Sequence, residues 1–418
     1  MFIVYDIIFL IFAVVYLPFL ALKGKWHAGL WTRFGFALQR DAAGKETIWV
    51  HAVSVGEVLV VLRLIEKIRK KFPRRAVVLS TVTPTGHALA TQRLQGQCRV
   101  IYAPLDFSWV VRKYVEVLNP ALYVSAETEI WPNLFTCLRE RNVPILEVNG
   151  RISDKAFAGY RRVSFLTRRV LRGVRLLCMQ SPQDARRIIE LGADEKRVRV
   201  IGNLKFDNLP GEPAIKKEDL GFRTQDRLLI AGSTYPGEEE ILIEAYRSLK
   251  TEFPGLRLMI VPRHVERAEG IARLCGRKGF SSRRLPEISL NPAVDDEPIL
   301  IVDRVGRLRD LYGIADLAFV GKSLCGSGGQ NMLEPLSWGK PTLVGPRTEN
   351  FRDVVRIFLP TGALIEIRDQ QGFVAASRAL LNDSRRCVQI GMAAKNEMMK
   401  HQGAVEKTAA VIEEILRS

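Results

Sequence analysis

Between residue 47 and about residue 345 the chain repeats one pattern: a short unbroken apolar run, a turn, then a longer stretch with helical spacing. Seven such runs, at 47–53, 76–82, 98–104, 120–127, 143–149, 175–180 and 198–204, form a first set. They are apolar throughout rather than alternating, as strands are when both faces of a parallel sheet are covered. Stretches 58–72, stopped by Pro73, and 133–141 supply helices between them. The turn-forming residues at 208–213 interrupt the pattern. It restarts with runs at 227–232, 256–262, 298–303, 316–321 and 341–345, with helical stretches at 237–249 and 265–276. From about Ala376 the chain reads as helix to its end. A chain of 418 residues exceeds what one core usually holds, so the expectation is two doubly wound, Rossmann-like α/β/α domains.

Two features bear on partners. Residues 2–22 are almost entirely apolar, broken by Asp6 and Pro18, and are followed by Lys23, Lys25 and Arg33. A helix of about 20 residues just spans a bilayer core. No basic residue precedes the run and no small-residue cleavage site ends it, which argues against a cleaved signal. If the segment spans, the basic residues place the chain beyond Leu22 on the cytoplasmic side; a helix lying in the interface is the alternative. The net charge of +17 points to an anionic partner. The densely basic stretch Arg161, Arg162, Arg168, Arg169, Arg172 and Arg175, interleaved with apolar residues, reads as one amphipathic helix over 160–175. It is either a solvated face or a surface for anionic lipid. A nucleic-acid binder would need a stacking platform that the sequence lacks. Six scattered cysteines form no paired motif, so neither a zinc site nor a disulfide framework is expected.

Two glycine-containing turns follow strands in opposite halves, and each delivers a glutamate. The first is His51-Ala52-Val53-Ser54-Val55-Gly56-Glu57; the second is Gly328-Gly329-Gln330-Asn331-Met332-Leu333-Glu334. A strand, a turn and a helix start leave backbone N–H groups free to meet an anion. Glu57 either caps its helix or acts as a general base at the carboxyl edge of a strand. Glu127 and Glu129 end another strand beside Trp131, either as surface charges or as groups that orient a sugar. Lys205 is a solvated lysine or a point charge that neutralises a departing phosphate. Arg263, after Pro262, suits bidentate phosphate contact. Asp295-Asp296-Glu297 falls in a loop rather than at a strand end, so no metal site and no cofactor are expected.

The turn His51–Glu57, then Thr83-Pro84-Thr85-Gly86, Glu127-Thr128-Glu129-Ile130-Trp131-Pro132-Asn133, Asn149-Gly150-Arg151-Ile152-Ser153 and Gly202-Asn203-Leu204-Lys205-Phe206-Asp207 occur in order. Pro262-Arg263-His264, Leu311-Tyr312-Gly313-Ile314-Ala315-Asp316, the second glycine turn and Val344-Gly345-Pro346 continue the series. Together they resemble the Kdo (3-deoxy-D-manno-octulosonic acid) transferases of bacterial lipopolysaccharide synthesis, over essentially the whole length. The resemblance implies a GT-B glycosyltransferase: a membrane anchor at 1–24, an acceptor domain at 25–207, a linker at 208–225, a CMP-sugar domain at 226–390, and a helix at 391–418 packing back toward the first domain. The two domains would face a central cleft. Kdo would pass from CMP-Kdo to the lipid A precursor at the cytoplasmic face of the inner membrane, with inversion and without a metal. Glu57 matches the family's base, and Glu127 and Lys205 match its transition-state residues. Pro262, Arg263, Val305, Gly306, Arg307, Asn331, Met332, Leu333 and Glu334 match the CMP-binding segments.

Five positions depart from the family pattern: Val305, Arg307, Lys322, Gln330 and Met332, where Met, Glu, Gly, His and Pro are usual. Another reading, a GT-B sugar-nucleotide epimerase, shares both α/β halves but has no need of the apolar 2–22 segment.

Overall fold

The computed structural model describes residues 5–7, 9–11, 14, 29–36, 38, 46–208, 211, 215–285, 297–304 and 306–417. Most of the expected anchor, much of 209–214, Asp295, Asp296 and Val305 lie outside those residues. The chain divides into two compact units, Met1–Asn208 with His401–Ser418, and Leu209–Lys400.

The first unit carries seven strands: β1 (Thr47–His51), β2 (Ala76–Thr81), β3 (Arg99–Tyr102), β4 (Pro120–Ala126), β5 (Ile145–Gly150), β6 (Leu176–Met179) and β7 (Val198–Val200). They pair in the order β3-β2-β1-β4-β5-β6-β7, with every pairing parallel. Side chains alternate between two cores, as the strand pleat requires. Ile48, Val50, Leu122, Val124, Leu146 and Val148 pack with helices Val55–Lys71 and Ala404–Arg417. Trp49, Tyr123 and Ile145 pack on the other face with helices Ser108–Leu118 and Pro132–Glu140. Helix Val55–Lys71 alone buries Val58, Val60, Val61, Leu64, Ile65 and Ile68, each contributing about 1.5–3 kcal/mol when fully removed from water.

The second unit repeats the plan with β8 (Arg227–Thr234), β9 (Leu256–Pro262), β10 (Ser282–Arg284), β11 (Ile299–Ile301), β12 (Leu317–Val320), β13 (Thr342–Val344) and β14 (Leu364–Glu366). The order is β10-β11-β9-β8-β12-β13-β14, again all parallel. Its outermost strands, β10 and β14, extend the sheet beyond the sequence expectation.

Two expectations change. The helix read at 391–418 is two helices: Ser384–Lys400 belongs to the second unit, and Ala404–Arg417 packs in the first. Asp207 fixes the second of these, accepting from the N–H groups of Gly403 and Val405 at 2.6 and 2.5 Å. The basic stretch 160–175 is also two helices, Asp154–Arg162 and Ser164–Leu171, separated where Val163 leaves helical geometry at ψ 35°. Among the described residues, which leave out most of 2–22, no helix is long and apolar enough to cross a membrane.

Candidate active site

In an open α/β sheet, ligands bind at the carboxyl ends of the strands where the strand order reverses. In the first unit that point lies between β1 and β4, and these strands run directly into Glu57 and Glu127. Glu57 occupies the first turn of helix Val55–Lys71. Its carboxylate accepts from Val53 N–H at 2.7 Å and from the Ser54 hydroxyl at 2.8 Å. It therefore closes the turn that carries it, as the capping reading required, while remaining a titratable group at the sheet edge. Burial pushes its carboxyl from 4.5 up to about 7, with Glu127 adding to the rise; the Val53 and Ser54 hydrogen bonds and Lys205 oppose it. A carboxyl tuned near neutrality suits a general base.

The turn is braced from β2. The N–H groups of Val82 and Thr83 donate to Val53 O at 3.2 and 3.1 Å. Thr83 caps helix Pro84–Arg93 by accepting from Gly86 N–H at 3.1 Å. A Cβ on Gly86 would lie 3.2 Å from the Ser54 carbonyl carbon, so glycine permits that close approach. Gly56, by contrast, sits inside the helix with ordinary backbone geometry, so the turn is made by the residues before it.

Glu127 lies just past β4 with φ +60°, a left-handed conformation that costs a non-glycine residue roughly 1–2 kcal/mol. Its carboxylate faces Lys205, with Nζ 3.2 Å from Oε1. Lys205 is held by a hydrogen-bonded frame. Asn203 accepts from Lys205 N–H at 2.9 Å and donates to Gln180 at 3.0 Å, while Asn149 accepts from Leu204 N–H at 2.9 Å. Asn149, at φ +55°, is the left-handed counterpart at the end of β5. The frame gathers Glu127 and Lys205 from positions 78 apart in sequence.

Two further carboxyls share this region. Glu129 is pushed up to about 7, first by burial and then by Glu57 and Glu127. Glu147, on β5 and 2% exposed, is held well above its usual range by burial, reinforced by Glu129 and Glu127. His51, also 2% exposed, is driven down to about 3 by burial and by Arg33, so it stands neutral beside Ser80, its Nδ1 2.9 Å from the hydroxyl. Lys205 thus pairs with Glu127 and opposes the rise at Glu57. Among the described residues no group of three or more His, Cys, Asp or Glu is arranged to hold a metal ion.

In the second unit the order reverses between β8 and β12. A buried glutamate that sequence reasoning missed organises the loops there. Glu238, 0% exposed, heads helix Glu238–Glu252. Its carboxylate accepts from the N–H groups of Tyr235, Lys322, Ser323 and Leu324 at 2.8–3.0 Å, and from Cys325 at 3.3 Å. It pins the loop after β12 to the loop after β8. Lys322 sits in that loop at φ +57°, the physical reason glycine suits its position.

The glycine turn itself differs from expectation. Gly328 and Gly329 take φ +92° and +68°, as only glycine does easily. Their N–H groups are not free: Gly328 donates to Glu349 at 2.6 Å and Gly329 to Lys322 O at 3.1 Å. Met332 and Leu333 are buried, 0% and 3% exposed, and the Leu333 N–H is taken by Asn331 Oδ1 at 3.3 Å. Asn331 is half-buried and donates to Glu334 at 3.1 Å. Burial raises the Glu334 carboxyl, opposed by Asn331, Arg309 and Arg263. Pro262 closes β9 and is buried; Arg263 next to it is exposed, as are Gly306, in a turn at φ +86°, and Arg307. Val305 lies outside the described residues.

Comparison with known proteins identifies the family. Residues 28–208 match the family model for 3-deoxy-D-manno-octulosonic-acid transferase (Kdo transferase), and residues 239–397 that for group 1 glycosyl transferases. The 3-deoxy-D-manno-octulosonic acid transferase of Haemophilus influenzae is 30% identical over 393 residues, 92% of this chain and 90% of its own. That of Bordetella pertussis is 29% identical over 403 residues, 94% and 93% of the two chains. A solved glycosyltransferase from Rickettsia africae aligns with a TM-score of 0.60 at 14% identity, over 90% of this chain and 99% of its own, a likeness of fold alone. Two parallel-sheet units with the architecture of GT-B glycosyltransferases, and that identity over nearly the whole length, place the chain in the Kdo transferase family, the enzymes of Kdo transfer in lipopolysaccharide biosynthesis.

Proposed function

We propose that this Kdo transferase takes CMP-Kdo as donor and a lipid A precursor, lipid IVA, as acceptor, with inversion at the anomeric carbon and without a metal ion. The acceptor hydroxyl loses its proton to the Glu57 carboxylate as its oxygen bonds to the anomeric carbon. The bond from that carbon to the CMP phosphate oxygen breaks, and its electron pair leaves with CMP. Glu127 and Lys205 stabilise the charge that develops, with Lys205 as a fixed point charge in place of a cation cofactor. The observation that carries this reading is the Glu57 carboxyl, poised at about 7 beside the Glu127–Lys205 pair at the sheet's switch point.

On the second unit, Arg263 offers a bidentate cation for the CMP phosphate. Asn331 and Glu334 offer polar groups to the ribose, and Met332 and Leu333 are the buried residues between them. Pro262, Val305, Gly306 and Arg307 complete the segment. Of the departures from the family pattern, Arg307 and Lys322 add positive charge there.

Membrane association at the cytoplasmic face of the inner membrane is part of the same proposal. Trp31, Phe36 and Trp109 are exposed on the first unit, with Lys113 lying 5.6 Å over the Phe36 ring. Phe165 is 79% exposed among the arginines of the two basic helices. Exposed aromatics beside cations suit an anionic lipid surface.

The test supplies full-length protein in detergent with CMP-Kdo made beforehand and stripped of metal, lipid IVA and EDTA, and reads products by mass. Addition of Kdo masses to lipid IVA is expected. No product with EDTA but product with added divalent metal would refute metal independence; no product under either condition would refute the acceptor.

A further inference from the structure

In the sequence Asp6 is an intrusion into an apolar run. In the structure its carboxylate is a junction. It accepts from Ser108 N–H at 3.0 Å, from the Ser108 hydroxyl at 2.5 Å and from Asn133 Nδ2 at 2.6 Å. Both partners start helices that lack a capping side chain of their own. Ser108 opens helix Ser108–Leu118 after Phe107, and Asn133 lies in the first turn of helix Pro132–Glu140 after Trp131. Asp6 therefore caps the first of these helices from a remote segment and meets the second through the Asn133 side chain.

Asn133 is the link to the active site. It is 0% exposed, and its amide nitrogen bridges Asp6 Oδ1 and the Asp106 carbonyl, each at 2.6 Å. The Asp106 carboxylate takes the N–H groups of Asn133 and Leu134 at 3.1 and 2.9 Å. The two aspartates thus fix the start of the helix that comes after Glu127-Thr128-Glu129-Ile130-Trp131. Pro132 stiffens the join, and the Trp131 ring sits edge-on to His51 with centroids 6.3 Å apart. The carboxylate loop has the left-handed Glu127 at one end and this helix start at the other.

The segment bearing Asp6 has two faces. Phe9 packs edge-on against Phe107 at 4.9 Å, and Tyr5 stacks on Phe9 at 6.0 Å. Ile7, Leu10, Ile11 and Val14 are 53–64% exposed and recur at the spacing of a single helix stripe. One face is therefore bound to the first unit while the other is offered outward.

We propose that Asp6 is a positioning residue: through Asn133 it ties the amino-terminal segment to the 127–131 loop and holds Glu127 in register with Lys205. The segment then sets the geometry of the reaction as well as carrying an aliphatic stripe. The inference rests on the reading of the Glu127 loop as part of the active site.

The test uses full-length protein in detergent micelles, so that loss of membrane contact does not enter. Asp6→Ala is expected to speed amide hydrogen exchange across 127–134 and to lower kcat about tenfold, leaving the KM for CMP-Kdo unchanged. Asp6→Asn keeps an acceptor oxygen and is expected to fall between. Asp6→Ala combined with Asn133→Ala is expected to be no worse than the more damaging single variant, because both remove one link. Unchanged exchange at 127–134, unchanged kcat, or additive losses in the double variant would each overturn the proposal. Glu127→Gln separates the two claims: full turnover in that variant would refute the role of the loop, whereas its loss with Asp6→Ala unaffected would refute only the role of Asp6.

Discussion

If Glu57 is a base with its carboxyl raised to about 7, pH should act on turnover and stability in opposite senses. The base works ionised, so kcat/KM is expected to fall about tenfold per pH unit below about 7 and to level above it. For stability the sign runs the other way. The folded-state value lies above the ordinary 4.5, so the fold favours the neutral carboxyl. That contribution is fully present below about 4.5 and is lost as pH rises through 7. The difference corresponds to about 3 kcal/mol of relative destabilisation at pH 8. Burial is the main cause, and Glu57 is 8% exposed, so solvent screening leaves most of it in place. Glu57→Gln is neutral throughout, and Ser54 can rotate its hydroxyl to accept from the new amide. Denaturant titrations of variant and wild type at pH 5 and pH 8 measure the effect. The variant is expected to gain on the wild type between the two by about 2.5 kcal/mol, since part of the effect is already present at pH 5. A difference that stays flat with pH, or an acid limb of turnover near 4.5, would refute the reasoning.

Neighbouring residues give two further outcomes. Lys205 lowers the Glu57 carboxyl, so Lys205→Met is expected to move the acid limb of turnover to higher pH as well as reducing the plateau; a limb that stays in place would show that the two groups do not interact. At position 322, where φ is +57°, Lys322→Gly is expected to exceed Lys322→Ala in stability by about 1 kcal/mol, as read by thermal unfolding, and equal stabilities would contradict the strain argument.

Much of this was legible in the sequence because parallel strands covered on both faces are written as unbroken apolar runs. β10 escaped for the converse reason: Ser282, Arg283 and Arg284 form a short polar edge strand, which no run of hydrophobic residues marks. The single helix expected over 160–175 kept its apolar spacing across Val163, and periodicity carries no sign of a local break in ψ. Glu57, Glu127 and Lys205 were each visible as chemistry at a strand end. The frame of Asn149, Gln180 and Asn203 that brings Lys205 to Glu127 was not, since it depends on hydrogen bonds between distant strand ends. Glu238 was hidden for a similar reason: its main partners lie 84–87 residues away. The glycine turn at 328 and 329 was read as leaving its N–H groups free for an anion; the carboxylate of Glu349, which takes one of them, could not be inferred from spacing.

The central claim, that Glu57 takes the proton in Kdo transfer, is tested most directly by single-turnover transfer from CMP-Kdo to lipid IVA at pH 8, comparing wild type with Glu57→Gln while CMP binding is measured in parallel. The expected result is a rate lower by about 10²–10⁴ with CMP affinity unchanged. A variant that transfers Kdo at nearly the wild-type rate would contradict the claim.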